Sequence, residues 1–236
     1  MNSDKTNHSF EEFGPEELLG PLNEVEKKNA PWRLFIAGDR SLLRAGLRVS
    51  VVGSRKASAR GLADACALAE ALARRGAVVV SGLAQGIDTA AHEGAIAAGG
   101  RTIAVLGTSL SEYFPAKSRA LQERIMREHL AVSQFASGVP SQRGNFPMRN
   151  RTMALLSDAT IIVEAGDKSG SLHQGWEALR LGRPLFLFES LLRDASLSWP
   201  AEMERYGAQA FAPGGMDFLF EFLPERSRGE ASELAF

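Results

Sequence analysis

Short runs of β-branched residues alternate with longer runs rich in alanine and leucine along most of this sequence, beginning near Leu47. Most of the β-branched runs end in glycine or in a small polar residue, as at Gly53 and Gly82. This alternation is typical of βαβ units, in which neighbouring strands pair in parallel. The sequence therefore predicts an α/β fold, a mostly parallel sheet with helices on both faces.

The individual elements follow from the same pattern. We predict strands at 48–52, 77–81, 102–106, 131–134, 160–164 and 184–188, with a further short strand near residue 208. We predict helices at 61–75, 89–98, 118–128, 149–156, 172–181 and 216–223. Residues 136–148 are rich in glycine, proline and serine, and they predict a long loop before the fourth of these helices.

Three segments are expected along the chain. Residues 1–46 comprise an N-terminal tail, disordered to about residue 12, a short helix at about 16–28 and a lead-in segment. Residues 47–223 form the main α/β domain, and residues 224–236 form a polar C-terminal tail.

The overall charge of the chain limits the kind of site at which it could bind a polyanion. The chain has 27 Lys and Arg against 28 Asp and Glu, a net charge of −1, so a polyanion site must be a local feature. Its four histidines lack the spacing of metal ligands and its one cysteine has no partner, so we expect no metal site. The N-terminus is polar, and no apolar stretch approaches the roughly 20 residues that span a bilayer. We therefore expect a soluble, cytoplasmic protein with no membrane association.

The carboxyl ends of the predicted strands are candidates for an anion site. In a parallel sheet these ends meet at one rim, where glycines let a phosphate approach the backbone and helix N-termini offer free N–H groups. Each glycine taken alone is better explained by a tight turn, whereas the set as a whole favours a phosphate or anion rim. The G-x-G-x-x-G and G-x-x-x-x-G-K-[ST] fingerprints are absent, so we predict no dinucleotide or ATP cofactor. The rim positions are Gly53-Ser54, Ser81-Gly82, Gly107-Thr108 and Ser169-Gly170-Ser171.

Basic and aromatic residues adjoin this rim. Arg55 and Lys56 follow the first strand of the main domain, and Phe146 lies in the long loop beside Arg149 and Arg151. Cations that hold phosphates and an aromatic ring that stacks a base are the two components of single-strand binding. The same residues could instead be solvated arginines with Phe146 packed down as a loop anchor.

Four motifs make the pattern specific: GSR at 53–55, SGLAQGID at 81–88, AVLG at 104–107 and FPMRNR at 146–151. In their order and spacing they resemble the DNA-processing protein A (DprA/Smf) family over residues 31–188, without the C-terminal winged helix that many members carry. The resemblance implies an extended Rossmann-like fold that binds and protects single-stranded DNA. It further implies help in loading RecA recombinase during DNA uptake, transformation and recombination, a homodimer, and no catalytic residue.

The resemblance also assigns the site. Arg55 would hold a DNA phosphate beside Gly53 and Ser54, and Phe146 would stack on a base. Asp88 would cap a helix or orient an arginine of the pocket. The remaining DNA-binding residues implied by the resemblance are Lys56, Arg149, Asn150, Arg151, Ser169, Gly170 and Ser171.

Three departures from the family pattern and two alternative functions accompany this assignment. Gln134 and Gln174 replace a usual glutamate and threonine, and the Pro-Gly turn expected after the strand at 184–188 is absent. The first alternative is a nucleotide-binding sensor or phosphoribohydrolase, with Glu164 and Glu177 as possible acids. The second is an interaction module that docks a partner through the apolar stripe of the N-terminal helix.

Overall fold

A computed structural model describes residues 10–212 and 214–221. Within these ranges, nine strands form one sheet in the order β1-β2-β6-β5-β4-β3-β7-β8-β9. The seven strands from β6 to β9 in this order pair in parallel, while β2 pairs antiparallel with both β1 and β6. The strands are β1 (Glu11–Phe13), β2 (Leu34–Gly38), β3 (Arg48–Val52), β4 (Val78–Ser81), β5 (Arg101–Leu106), β6 (Leu130–Ser133), β7 (Ala159–Ile162), β8 (Leu185–Phe188) and β9 (Gln209–Phe211).

Helices cover the sheet. α3 packs on α4 and α6 packs on α7, and right-handed crossovers place these two pairs on opposite faces. Every residue of β3, β4, β6, β7 and β8 is buried, as expected of strands covered on both faces. The helices are α1 (Pro15–Leu19), α2 (Glu24–Lys27), α3 (Ala59–Arg74), α4 (Ile87–Ala97), α5 (Arg119–Glu128), α6 (Asn145–Leu156), α7 (Ser171–Arg180), α8 (Glu189–Leu192), α9 (Trp199–Arg205) and α10 (Met216–Glu221).

The chain reverses its direction across the sheet between β3 and β7. From β3 the chain adds β4, β5 and β6 on one side, and from β7 it adds β8 and β9 on the other. The connections that leave β3 and β7 therefore diverge, and a crevice opens between them at the carboxyl ends of the two strands. This is the topological switch point, where open α/β sheets bind their ligands.

The amino ends of the same two strands are closed by a buried ion pair. Arg48 begins β3 and Asp158 immediately precedes β7, and both side chains are almost inaccessible. Arg48 Nη2 and Nε donate to the two carboxylate oxygens of Asp158 at 3.0 and 3.2 Å. Arg48 Nη1 donates to the carbonyl oxygen of Leu43 at 2.6 Å, which ties the segment before β3 to the same pair.

Arg183, in the turn between α7 and β8, holds the C-terminal end of α6. Its Nη1 donates to the carbonyl oxygens of Ala154 and Leu155, each at 2.6 Å, and to that of Ser157. Its Nη2 forms an ion pair with Glu26 of α2 at 2.8 Å. Burial lowers the pKa of the Arg183 guanidinium, and the Glu26 carboxylate opposes that shift. Arg183 thus joins the N-terminal segment to the C-terminal end of α6.

The structure confirms the predicted fold class and corrects several boundaries. The helix predicted at 16–28 is two short helices separated at Gly20 and Pro21, and residues 11–13, predicted as disordered, form β1. The expected domain boundary at residue 47 falls between two strands of one sheet, since β2 lies within that sheet. Residues 1–9, the end of the helix predicted at 216–223 and the tail 224–236 lie outside the described residues.

The largest correction concerns the loop predicted at 136–148. α6 begins at Asn145, four residues before the predicted start, so Phe146 lies in the first turn of a helix and not on a flexible loop. Pro147 is compatible with this position because the first turn of a helix does not need its backbone N–H groups for internal hydrogen bonds. Within residues 10–212 and 214–221, no helix is long and apolar enough to cross a membrane.

Candidate nucleic-acid interface

A cleft of about 510 Å³ opens at the switch point. We call it the switch-point cleft. All of the residues predicted to bind DNA line it except Arg151. Those residues are Gly53, Ser54, Arg55, Lys56, Phe146, Arg149, Asn150, Ser169, Gly170 and Ser171.

The connection that leaves β3 is fixed by close backbone contacts. Ser54 N donates to the carbonyl oxygen of Glu164, and Ile87 N donates to the carbonyl oxygen of Ser54 at 3.2 Å. A Cβ atom on Gly53 would lie 2.6 Å from the Glu164 carbonyl oxygen, and one on Gly86 would lie 2.3 Å from that of Ser54. Only glycine fits these two positions, and they hold the residues that follow Ser54 at the mouth of the cleft.

Arg55 and Lys56 are exposed at this mouth. In the described part of the chain neither forms an ion pair with a carboxylate. The Arg55 guanidinium lies over the Phe146 ring, with its carbon 5.2 Å from the ring centroid. This cation–π contact places a positive charge next to an aromatic surface. A nucleotide needs both groups, because its phosphate pairs with the charge and its base stacks on the ring.

Phe146 is half-buried at the start of α6. Its ring packs against Gly107, where a Cβ atom would come within 2.6 Å of the ring, and against Phe114, with centroids 5.5 Å apart. The ring is therefore held in place by the carboxyl end of β5 while part of it remains accessible from the cleft.

Arg149 is buried and fastens α6 to the sheet. Its Nη1 donates to the carbonyl oxygens of Gly82 and Val105, the latter at 2.8 Å, and its Nε donates to Asn150 Oδ1 at 2.9 Å. Burial lowers the pKa of the Arg149 guanidinium, and the charge of Asp88 opposes this shift. Arg149 lies in the wall of the cleft, with its Nε and Nη1 donors engaged by the protein.

Asp88 and Asn150 complete this buried frame. Asp88 Oδ2 accepts from Ala84 N at 3.3 Å, and burial raises the pKa of the carboxyl group while Arg149 partly lowers it. Asn150 Nδ2 donates to the carbonyl oxygen of Gly170 at 2.9 Å, which links α6 to the start of α7. The two roles expected for Asp88, capping a helix or orienting an arginine of the pocket, remain predictions.

The opposite wall is the start of α7. Ser169 and Ser171 share a hydrogen bond of 2.6 Å between their hydroxyl oxygens. A helix N-terminus carries a partial positive charge and suits an anion. Gln174, one of the departures from the family pattern, is buried below this wall with its amide 3.3 Å from Thr160 Oγ1. That departure therefore changes the packing below the cleft and leaves its exposed charge unaffected.

Lys168 is a site residue that the sequence analysis missed. It is exposed, lines the cleft beside Ser169, and faces the mouth formed by Arg55 and Lys56. Among the described residues that line the cleft, Asp88 is the sole carboxylate, and it is buried. The accessible charge of the cleft is therefore positive, although the net charge of the chain is −1.

The expectation that Arg151 lines this cleft is wrong. Consecutive residues of an α-helix are about 100° apart, so Arg149 and Arg151 project from nearly opposite sides of α6. Arg151 Nε forms an ion pair with Glu177 at 3.2 Å and borders a separate concavity beside Trp32.

The two carboxylates considered for a hydrolase have structural partners. Glu164 accepts hydrogen bonds from the Ser58 hydroxyl at 2.6 Å and from Ser58 N at 2.9 Å, where α3 begins. Glu177 pairs with Arg151 and, at 2.7 Å, with Arg180. Neither carboxylate lines the cleft. Over the described ranges, no group of three or more His, Cys, Asp or Glu side chains could hold a metal ion.

The fold and the cleft define a class of protein: a doubly wound α/β domain with a cleft, accessible cations and an aromatic ring at its switch point. The chain belongs to the family described as DNA recombination-mediator protein A, which it matches over residues 14–219. The resemblance to the DprA/Smf family is thereby confirmed.

Individual relatives agree. The chain is 36% identical over 197 residues to DNA processing protein DprA of Bacillus subtilis (strain 168), which covers 84% of this chain and 66% of that protein. The X-ray structure of DNA processing protein A from Streptococcus pneumoniae superposes with a TM-score of 0.77 at 35% identity, covering 90% of this chain and 74% of that one.

A structure of DNA processing protein A from Helicobacter pylori, which gave insight into a single-stranded DNA binding mode, also has a TM-score of 0.77. Its identity to this chain is 28%, and the match covers 92% of this chain and 99% of that one. The chain spans about two thirds of the Bacillus subtilis protein and about half, 51%, of Protein Smf from Escherichia coli.

Proposed function

We propose that this protein binds single-stranded DNA in the switch-point cleft, as a mediator that protects the strand and helps load RecA recombinase during DNA uptake and recombination. The observation that carries the proposal is the contact between Arg55 and Phe146. An exposed guanidinium that has no carboxylate partner among the described residues lies over a half-accessible ring, at the mouth of a cleft whose accessible charge is positive.

Binding follows from the arrangement without any catalytic step. Arg55, Lys56 and Lys168 hold phosphates, and the α7 N-terminus adds backbone donors. Each neutralised phosphate releases counterions, so affinity falls with increasing salt. Bases contact the aromatic surface of Phe146 and the guanidinium plane, and stacking of this kind tolerates any base. The proposed mode is therefore strong at low salt and indifferent to sequence.

The test is fluorescence anisotropy with a labelled oligo-dT over a salt series, comparing the parent with Arg55→Ala. We expect the variant to lose on the order of tenfold or more in affinity and the salt slope to flatten by about 0.7 per lost phosphate contact. Arg60→Ala is the matched control, because Arg60 is an exposed arginine outside the cleft that pairs with Asp64. Equal binding by the parent and Arg55→Ala would place the DNA elsewhere.

The alternative of a nucleotide-binding sensor or phosphoribohydrolase uses the same cleft. It is weakened because Glu164 and Glu177 have structural partners and lie outside the cleft. Among the described residues that line the cleft, no accessible carboxylate is available for acid–base chemistry. If the parent does not bind oligo-dT at low salt, while a nucleoside monophosphate raises its melting temperature, the alternative replaces our proposal.

The partners follow from the family. We propose that the protein forms a homodimer, acts in the cytoplasm, and delivers the bound strand to RecA. Light scattering of the purified chain measures the dimer directly. Filament nucleation by RecA on strands already covered by this protein tests the delivery step, which fails if coverage slows nucleation at every ratio of the two proteins.

A further inference from the structure

Trp32 is the most exposed large hydrophobic residue of the described chain, with 85% of its surface accessible. It precedes β2 and borders a concavity of about 440 Å³ that is separate from the switch-point cleft. We call the residues Trp32, Arg33, Phe135, Met148 and Arg151 the Trp32 surface. An indole this exposed is costly in water, and tryptophan beside arginine is the composition of a binding site.

The Trp32 surface lies on the same rim of the sheet as the switch-point cleft. Because β2 runs antiparallel to β6, with Phe35 opposite Ser133, the residues before β2 lie at the carboxyl end of β6. The switch-point cleft lies at the carboxyl ends of β3 and β7, and four strand spacings separate β3 from β2. At about 4.8 Å per spacing, the two sites are roughly 20 Å apart along one rim.

The rim between the two sites is also concave. A smaller pocket of about 150 Å³ lies at the carboxyl ends of β4 and β5, and it shares Arg55, Phe146 and Arg149 with the switch-point cleft. Phe114, half exposed, forms its outer wall. Met148 of the Trp32 surface also belongs to α6, where it projects from nearly the opposite side of the helix to Phe146. Accessible rings therefore follow one another along the rim, at Phe146, Phe114 and Trp32.

The charge of the Trp32 surface suits the same ligand. Two arginines and no carboxylate are among the described residues that line its concavity. Arg33 pairs with Glu12 and Arg151 pairs with Glu177, but both arginine side chains are about half exposed. The pair of Arg33 with Glu12 is exposed and therefore weak, and Arg151 remains half exposed although Glu177 is largely buried. A phosphate can therefore compete with the carboxylates for these guanidinium groups.

We propose that the DNA strand continues from the switch-point cleft along this rim and that a base stacks on Trp32, with Arg33 and Arg151 beside its phosphates. The proposal rests on the proposed function and extends it with a second stacking site. A polynucleotide that extends past Phe146 would cover Trp32, which explains the exposure of this side chain in the free protein. A short oligonucleotide would occupy the switch-point cleft alone.

Tryptophan fluorescence tests the proposal, because the three tryptophans differ in environment. Trp199 is buried, and Trp176 packs edge-on against Tyr206 with ring centroids 5.4 Å apart. The difference between the parent and Trp32→Phe therefore isolates the emission of Trp32. We expect an oligo-dT of about 16 nucleotides to quench this emission and one of about 4 nucleotides to leave it unchanged.

Anisotropy with the same two lengths supplies the second readout. We expect Trp32→Ala to weaken binding of the long oligonucleotide on the order of tenfold and to leave the short one unaffected, while Trp32→Phe binds both like the parent. Tyr206→Ala is the control: Tyr206 is 68% exposed but precedes β9, at the opposite rim. Since Trp32 is so exposed, its replacement leaves the core intact.

Each other outcome overturns the proposal in a distinguishable way. If both lengths bind through Arg55 but Trp32→Ala equals the parent, the second stacking site is wrong and the first cleft stands. If neither length binds the parent at low salt, the proposed function fails and takes this inference with it. If Trp32→Ala dissociates a parent dimer without changing DNA affinity, the surface is an interface between two copies of the chain.

Discussion

The two ends of strands β3 and β7 use arginine in opposite ways. At the amino ends, Arg48 is buried and satisfied by Asp158 and by the Leu43 carbonyl oxygen. At the carboxyl ends, Arg55 is exposed and pairs with no carboxylate in the described chain, so its charge remains available to a ligand. The same residue type, seven positions apart, closes one end of the sheet and leaves the other open. An arginine whose N–H donors are satisfied by the protein has a structural role, and one whose donors remain available can bind a ligand.

Replacing each arginine by methionine should separate the two roles. Arg48→Met removes the guanidinium that pairs with the buried Asp158 carboxylate, and we expect it to lower the free energy of unfolding by about 3–5 kcal/mol. Arg55→Met removes an exposed side chain, and we expect a change within about 0.5 kcal/mol. Urea denaturation measures both. Similar losses of stability in the two variants would show that Arg48 and Arg55 do not differ in their structural role.

Phe146 distinguishes packing from stacking at the open end. Phe146→Ala should weaken oligo-dT binding by about 1–3 kcal/mol while leaving the salt slope unchanged, because no phosphate contact is lost. Phe146→Leu is the matched variant, since leucine retains an apolar contact with Phe114 and Gly107 but presents no ring. Affinity restored by leucine would mean that the ring serves only as a packing anchor.

The smallest expected effect, measured over one pH unit, is a pH dependence carried by the buried interior. His92 on α4 accepts or donates one hydrogen bond, at 2.7 Å, with Thr102 near the amino end of β5, and burial lowers its pKa from 6.5 to about 3. Between these values the unfolded chain binds a proton that the folded chain does not. The free energy of unfolding therefore falls as pH decreases from 6.5 towards 3, by at most about 1.4 kcal/mol per pH unit.

His92→Gln isolates this contribution, because glutamine keeps a hydrogen-bonding group and does not titrate. We expect the stability of the variant to decrease less steeply than that of the parent below pH 6.5, measured by denaturation at several pH values. Parallel pH profiles would show that His92 is protonated within the fold.

Most of the sheet could be predicted from the sequence because its strands are continuous runs of buried β-branched residues. β3 was predicted at its observed bounds for this reason. β2 was not assigned to the sheet, since antiparallel pairing with a strand almost a hundred residues later has no local signal. The early start of α6 was missed because Pro147 and the glycines before it are typical of a loop.

The site shows the same limit at the level of side chains. The motifs brought Arg55, Phe146 and Asn150 together correctly, since they mark strand and helix ends that share a rim. Arg149 lines the cleft and Arg151 does not because of the rotation of α6 about its own axis. That rotation cannot be predicted without knowing the residue at which the helix begins. Lys168 was overlooked because an exposed lysine in a loop follows no periodic pattern.

The anchoring of α6 at both ends has a thermodynamic consequence for the ligand. Arg149 ties its first half to β4 and β5, and Arg183 holds its last carbonyl oxygens while pairing with Glu26. The position of Phe146 on α6 is therefore fixed before a DNA strand binds. Little conformational entropy remains to be lost when a base stacks on its ring. Under the proposed function, we therefore expect the N-terminal segment, which lies away from the cleft, to contribute to DNA affinity through this rigidity.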